Sequence, residues 1–291
     1  MKVRMTKPPE GIILSPEEKW KYANFTNSFI FGKALTVNTE LVKEIIRFSV
    51  PDLQIADISI ADRERRQEPS ALSKASILDI RAELTDGKII MIEMQVLKRD
   101  DFILRLRSYR SQYDTESLKP GHRFGELHEV IQIAICCFDP VGDDAYIYDY
   151  QMTDRYSGNI LYQNKQRMIL LNAAGHQGRI SKDLKEFLTY VSGGEAEGAF
   201  VEKLDETVRQ LKYDELARGE FMRLEDWADD RSYEAKLEGI REGKLEERKI
   251  SVRTLFKTCL DLGLGETEAI GRIAETYQLS AEEIKSILRE Q

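Results

Sequence analysis

Residues 129–139, EVIQIAICCFD, form a nearly unbroken apolar run closed by Pro140. A strand with one wet face alternates apolar and polar residues; this run does not, so it reads as a buried central strand. The surrounding patterns supply its neighbours. NTELVKEIIRFSV (38–50) places Leu41, Val42, Ile45, Ile46 and Phe48 at helical spacing, with Asn38 or Thr39 as N-cap. LQIADISIAD (53–62) alternates with a period near two and reads as a strand, and RERRQEPSALS (63–73) as a polar loop. SILDIRAELTDGKIIMIEMQ (76–95) holds two apolar runs joined by Asp86-Gly87, a strong hairpin signal. DDFILRLRSYRSQYDTESL (100–118) is helical, and AYIYDYQMTD (145–154) and QRMILLNAAG (166–175) are further strands. Helix, three strands, helix, strand is the order of an α/β core.

From about Ser181 the character changes to helix. SKDLKEFLTYVSGG and AFVEKLDETVRQLKYDELARGEF are helical, and DRSYEAKLEGIREGKLEERKI (230–250) is a charged helix with few apolar anchors, exposed or paired with a partner. Three short amphipathic helices follow, broken at DLGLGE and QLS. The expected organisation is an N-terminal arm over 1–20, an α/β domain over 21–215 and a helical region over 216–291. The composition, 42% hydrophobic and 32% charged, is enough for a true core, and the net charge of −8 argues against a generally basic nucleic-acid coat protein while leaving room for a local basic groove. Cys136, Cys137 and Cys259 have no metal-ligand spacing and read as buried thiols of a reducing cytoplasm. The N-terminus lacks the apolar stretch of a signal peptide, and no apolar run approaches the ~20 residues of a membrane span. A soluble, cytoplasmic protein without membrane contact is expected.

Asp79, Glu93 and Gln95 are the wrong residues for buried strands, because a carboxylate without a partner is costly to bury. The turn decides what they do. A two-residue Asp-Gly loop pairs Asp79 with Met94. A three-residue loop, Thr85-Asp86-Gly87 with Gly87 left-handed, pairs Leu84 with Lys88 and sets Asp79 across from Glu93. Glu93 and Gln95 share a face in either case. Two adjacent carboxylates repel unless a cation lies between them. Mg²⁺ is a hard ion that suits one or two carboxylates plus a phosphate. Gln95 could orient a water or lend its carbonyl oxygen, and the Met94 carbonyl is a further candidate. The competing reading makes Asp79 and Glu93 ordinary ion-pair partners of Arg81 or Lys88 at a sheet surface.

An Asp, a hairpin, then Glu-x-Gln on the second strand resembles the core motif of PD-(D/E)XK nucleases. More narrowly, TNSFIFGKALT, ILDI, IMIEMQ, RLRSYRSQYD, LKPGHRFGELHEVIQIAICCFDP, MILLNAAG and EFLTYV together resemble the Rpn family of recombination-promoting nucleases, also described as transposases, from about Asn27 to Val191. The resemblance implies a restriction-endonuclease-like core, a mixed sheet flanked by helices, with an all-helical C-terminal tail. It implies Asp79 and Glu93 as metal ligands, Gln95 in the place of the usual catalytic lysine, and Glu40 on the first helix as an acidic position completing the metal site. Ser28 stands where the family stretch carries an Asp, and Ser108 where the arginine–tyrosine helix carries a Tyr; Arg105, Arg107, Tyr109, Ser111 and Asp114 are retained. Glutamine supplies a dipole where lysine supplies a full charge; Lys88 and Lys98 are candidates for that charge.

The expected activity is Mg²⁺-dependent DNA endonuclease cleavage, with Mn²⁺ as a possible substitute, promoting recombination in a mobile-element or defence setting. Lys98, Arg99, Arg105, Arg107, Arg110, Lys119, His122 and Arg123 follow the hairpin, and Arg105, Arg107, Tyr109 and Arg110 are the candidates for DNA-phosphate contact. The motif does not separate DNA from RNA. The histidines show no HxxH or HExxH spacing, and no phosphate-binding GxxxxGK[ST] loop or GxSxG elbow occurs. TEAIGRIAETYQLSAEEIKSIL has the outline of a helix-turn-helix, but such pairs are more often packing units, and the tail is expected to support a homo-oligomer, a dimer. The alternative function is a catalytically silent nuclease fold that binds a partner through that tail.

Overall fold

A computed structural model describes residues 14–60 and 80–289, less the side chains at 229–236, 238 and 242. Asp79, the loop expected over 63–73 and the last two residues of the strand expected over 53–62 lie outside the described residues. The central strand is where the apolar run places it. β4 (Val130–Cys136) is buried along its whole length. With β1 (Ile58–Ile60), β2 (Ile80–Leu84), β3 (Ile89–Gln95), β5 (Ile147–Gln151) and β6 (Gln166–Asn172) it forms a six-stranded sheet in the order β1-β2-β3-β4-β6-β5. β3, β4 and β6 are parallel, and β1, β2 and β5 run antiparallel to their neighbours. The parallel β3–β4 pair requires a crossover, and α4 (Phe102–Ser117) provides it.

The two faces differ in cover. Ile80, Ala82, Ile90, Ile92, Ile131, Ile133, Ile135, Ile169 and Leu171 point into the main core. That core is closed by α1 (Pro16–Tyr22), α2 (Ser28–Val37), α3 (Thr39–Ser49), α5 (Lys182–Val191) and α6 (Ala199–Tyr213). The other face alternates with it: Ile89, Met91 and Val130 meet Tyr113, and Ala134, Cys136 and Leu170 meet Phe102 and Leu106, all three from α4. One helix therefore covers the face that carries Glu93 and Gln95.

Three expectations change. The arm expected over 1–20 ends in a packed helix, α1. Ser15 and Glu18 form a capping box, Pro16 opens the helix, and Trp20 is buried with its ring centroid 5.1 Å from Phe221 and 6.2 Å from Phe29. The first strand is shorter than its alternation suggests. Leu53 and Ile55 pack on the core outside β1, and Asp57, ion-paired with Lys43, accepts the Ile58 N–H at its start. The charged helix of 230–250 belongs to a much longer one, α7 (Glu215–Asp261).

The chain divides into two compact units, Met1–Met222 and Arg223–Gln291, and the division falls inside α7. In the second unit α8 (Glu266–Tyr277) and α9 (Ala281–Arg289) pack Ile273 and Ile284 on Val252 of α7. The two expected breaks are here. Gln278 is left-handed, and Ser280 with Glu283 caps α9 reciprocally. Arg253 Nε donates to the Ile287 carbonyl at 3.1 Å, and Arg248 to that of Tyr277. The apolar faces of α8 and α9 thus serve a core of their own unit. Among the described residues no helix is long and apolar enough to cross a membrane.

Candidate active site

The hairpin adopts the three-residue turn. The Leu84 N–H bonds the Lys88 carbonyl and the Gly87 N–H the Leu84 carbonyl, both at 2.9 Å. Gly87 has φ +81°, a conformation that side chains rarely adopt. Asp86 Oδ1 accepts the Lys88 N–H at 3.1 Å. From this turn the ladder runs Glu83↔Ile89, Ala82↔Ile90, Arg81↔Met91 and Ile80↔Ile92, and Ile80 is its last described residue on β2. On its other side β3 sets Glu93 beside Ala134 and Gln95 beside Cys136.

Glu93 is 2% exposed. A carboxylate buried this deeply needs cations and hydrogen-bond donors around it. Gln95 Nε2 donates to Glu93 Oε2 at 3.1 Å. Arg105 reaches the site from the first half of α4, and its Nη2 and Nε donate to the Tyr109 hydroxyl at 2.8 and 3.2 Å. Burial works against the Arg105 charge, but the Tyr109 hydroxyl and the carboxylates of Glu93 and Asp101 outweigh it, and the pKa is raised. The neighbouring Cys136 thiol is pushed far up by burial, with Cys137 and Glu93 adding to the shift, and burial raises Cys137 to about 11. Both stay protonated at neutral pH, which does not suit either to act as a nucleophile.

The group brought together is Glu93, Gln95, Arg105 and Tyr109. Arg107 is exposed and lies two residues on from Arg105, about 200° around the helix. Arg110 is half-buried with its Nε 3.7 Å from Asp114, and burial lowers its pKa. Glu40 is on α3, which packs on the opposite face of the sheet with Ile90 and Ile92. Glu40 pairs with Lys43 at 2.9 Å, and that hydrogen bond lowers its pKa. The surface ion-pair reading of Glu93 does not match its burial. Lys88 pairs with Asp86 at the turn, and the Arg81 guanidinium lies 5.5 Å from the Tyr113 ring centroid. Lys98 donates its ammonium to the Asp139 carbonyl at 3.2 Å. Sequence reasoning did not find Ala134 and Cys136 as the neighbours of Glu93 and Gln95. Their pairing spans about forty residues of chain, and no local pattern encodes it.

Among the described residues no group of three or more His, Cys, Asp and Glu side chains gathers as a metal cluster. The donors at β3 are nonetheless all hard oxygens: the Glu93 carboxylate, the Gln95 carbonyl oxygen left once its Nε2 serves Glu93, and the Met94 main-chain carbonyl. That chemistry fits an oxygen-preferring divalent ion.

Asp139 shapes the loop after β4. Its carboxylate accepts the N–H groups of Gly142 and Asp144 at 2.8 Å and of Val141 at 3.0 Å, and the Tyr148 hydroxyl at 2.9 Å. Burial works against this charge, but the hydrogen bonds prevail and hold the pKa at about 2, below the ordinary 3.8. The stabilisation is therefore complete above about pH 4 and lost as pH falls through about 2. In thermal melts Asp139→Asn is expected to be less stable at neutral pH and to lose this part of the acid sensitivity between about pH 5 and pH 2. Equal acid sensitivity in the two proteins would show that other carboxylates govern the limb.

A profile described as PD-(D/E)XK nuclease family transposase matches residues 26–208 of the 291. No curated protein and no solved structure matches the chain significantly. The matched span holds the whole sheet, α4 and the Glu93 group, and the mixed sheet with its flanking helices is a restriction-endonuclease-like α/β fold. A hairpin that delivers a buried acid, and a family match over more than half the chain, lead to one assignment: this protein belongs to the PD-(D/E)XK nuclease family transposases.

Proposed function

We propose that this protein is a divalent-metal-dependent endonuclease that hydrolyses DNA phosphodiester bonds and thereby promotes recombination. Mg²⁺ is the proposed metal, with Mn²⁺ as substitute. Asp79 and Glu93 are its proposed ligands; Glu40, paired with Lys43 on the helix that packs against the opposite face of the sheet, is not among them. The observation that carries the reading is the buried Glu93, hydrogen-bonded by Gln95 and facing the charge of Arg105. Asp79 directly precedes Ile80, whose partner Ile92 directly precedes Glu93. One more step of the same ladder would set the two acids opposite each other.

When bound, such an ion supplies Lewis-acid polarisation of the phosphoryl group and a lowered pKa for the attacking water. The chain's own residues do the rest. Glu93, fixed on a central strand, holds negative charge where the hard cation is needed. Gln95 cannot take up a proton at neutral pH, so its role is to orient a water through its carbonyl oxygen. Arg105, held by Tyr109, presents positive charge to a phosphate, which positions the scissile group without reading sequence. Arg107 and Arg110, turned to another side of α4, would reach only a phosphate that passes around that helix.

The test is conversion of supercoiled plasmid to nicked or linear form by the full chain with Mg²⁺, Mn²⁺ or EDTA. Cleavage only with metal supports the reading; no cleavage with either metal would overturn it in favour of a catalytically silent, partner-binding fold. Gln95→Ala is expected to slow cleavage roughly ten- to a hundredfold through loss of water positioning. Gln95→Lys, which brings the charge that glutamine lacks, is expected to retain wild-type cleavage or exceed it. A Gln95→Ala rate equal to wild type would remove Gln95 from the reaction.

A further inference from the structure

The end of the sheet away from Glu93 carries a cluster that the hydrolytic reading leaves unused. Phe124 and Tyr162 are 81% and 75% exposed, and each opens a single 3-10 turn, Phe124–Glu126 and Tyr162–Asn164. Lys165 ties the two turns together: its Nζ donates to the carbonyls of Leu127 at 2.7 Å and Gly125 at 3.1 Å. Its own carbonyl accepts the N–H of Val130, the first residue of β4, at 3.0 Å. Beside them the chain leaving β5 continues as a narrow extension. The Leu161 N–H bonds the Met152 carbonyl at 2.9 Å, Thr153 bridges to Ile160, and the tip carries Tyr156, 99% exposed. The tip is built: Asp154 Oδ1 accepts the N–H groups of Ser157 at 2.7 Å and Tyr156 at 2.8 Å.

Rings held this far into water contribute nothing to the core, and grouped exposed apolar surface marks an interaction site. Exposed cations stand beside them. Arg123 and Arg155 are exposed, and among the described residues neither forms an ion pair. The nearby acids are engaged: Glu126 accepts the Arg123 N–H at 3.1 Å and faces His122 at 3.5 Å, and Asp154 holds its own turn. Aromatic rings among unpaired cations suit a polyanion that offers flat faces. A duplex hides its base faces within the stack, whereas an unpaired strand offers them. α4 connects this end to the proposed active site, since Phe102 and Leu106 pack beside the β4 neighbours of Glu93 and Gln95 while Tyr113 packs on Ile89 and Val130. Its sixteen residues span about 24 Å, a length covered by a short single strand.

We propose that this end of the sheet docks an unpaired stretch of the DNA substrate, with Phe124 and Tyr162 stacking on bases and Arg123 and Arg155 meeting phosphates. The proposal rests on the nuclease reading for its substrate and adds a preference for DNA that carries single-stranded segments, such as a tail, flap or gap. Tyr156 extends the same surface.

Fluorescence anisotropy of the full chain, in EDTA, with a blunt duplex and with the same duplex bearing an unpaired oligothymidine tail tests it. Wild type is expected to bind the tailed DNA more tightly. The Phe124→Ala/Tyr162→Ala variant is expected to lose roughly thirtyfold or more on the tailed DNA alone, the size of two lost stacking contacts. Phe124→Tyr/Tyr162→Phe, which keeps both rings, is expected to bind as wild type. If the alanine variant fails to fold by circular dichroism, Arg123→Glu/Arg155→Glu takes its place with the same discrimination expected. Equal affinity of wild type for the two DNAs, or equal loss on both, overturns the proposal. So does a change of mass in sedimentation with DNA binding intact, which would make the surface a self-association face. Ring-dependent tail binding without any metal-dependent plasmid cleavage keeps this surface and removes the nuclease reading; plasmid cleavage without tail preference does the reverse.

Discussion

Glu93→Gln is expected to lower metal-dependent plasmid cleavage by roughly a thousandfold, equivalent to about 4 kcal/mol of barrier, with little change in thermal stability. The substitution keeps size and shape, so the packing against Ala134 on β4 is retained. What it removes is the negative charge that would hold a divalent ion, and with it the polarisation supplied to the phosphate. Asp79→Ala is expected to fall as far. The two variants separate a site from a contaminant, because an adventitious nuclease would cleave alike in all three preparations. Residual Glu93→Gln activity within about fivefold of wild type, at unchanged metal requirement, would place the chemistry elsewhere on the molecule.

The second large effect is on stability. Phe187→Ala is expected to destabilise the chain by about 3–5 kcal/mol in denaturant unfolding, the range for emptying a buried aromatic site. Phe187 is fully buried on α5, with ring centroids 5.2 Å from Phe48, 5.7 Å from Phe200 and 6.1 Å from Phe25. These rings come from α3, α6 and the turn before α2, so one side chain joins much of the helical layer to the sheet's main core. A domain is stable by only about 5–15 kcal/mol, and the loss would take a large share of it. A change below about 1 kcal/mol would mean that the neighbouring rings close the cavity without cost.

Legibility in the sequence followed the range of each interaction. β4, the Asp86-Gly87 turn and the breaks before α8 and α9 are written in contiguous residues, and the structure has them there. α2 shows the opposite case. Phe29, Ile30, Phe31, Gly32, Ala34 and Leu35 are all buried, so the helix is apolar nearly all round and lacks the one-sided period that marks a surface helix. α1 was hidden for a different reason: Ser15, Pro16 and Glu18 spell out a helix start, but the polar, proline-bearing stretch around them reads as an arm. At the site, the hairpin placed Glu93 and Gln95 on one face because side-chain alternation is local. Which side of α4 faces them is set by tertiary packing, and so Arg105 and Tyr109 separate from Arg107 and Arg110 only in the folded chain.

The turn at Thr85-Asp86-Gly87 lies several residues along the ladder from Glu93, yet it fixes which β2 side chain stands opposite each β3 side chain. Two kinds of sequence change should therefore fare differently there. Replacing Thr85, an exposed residue, alters one surface group. Removing or adding a single residue slips the two strands past each other and turns the side chains of one strand to the wrong face. The face that carries Glu93 and Gln95 is thus sensitive to the length of a loop whose chemistry it scarcely uses, and variation among related chains should enter this turn through exchanges of residue type and not through insertions or deletions.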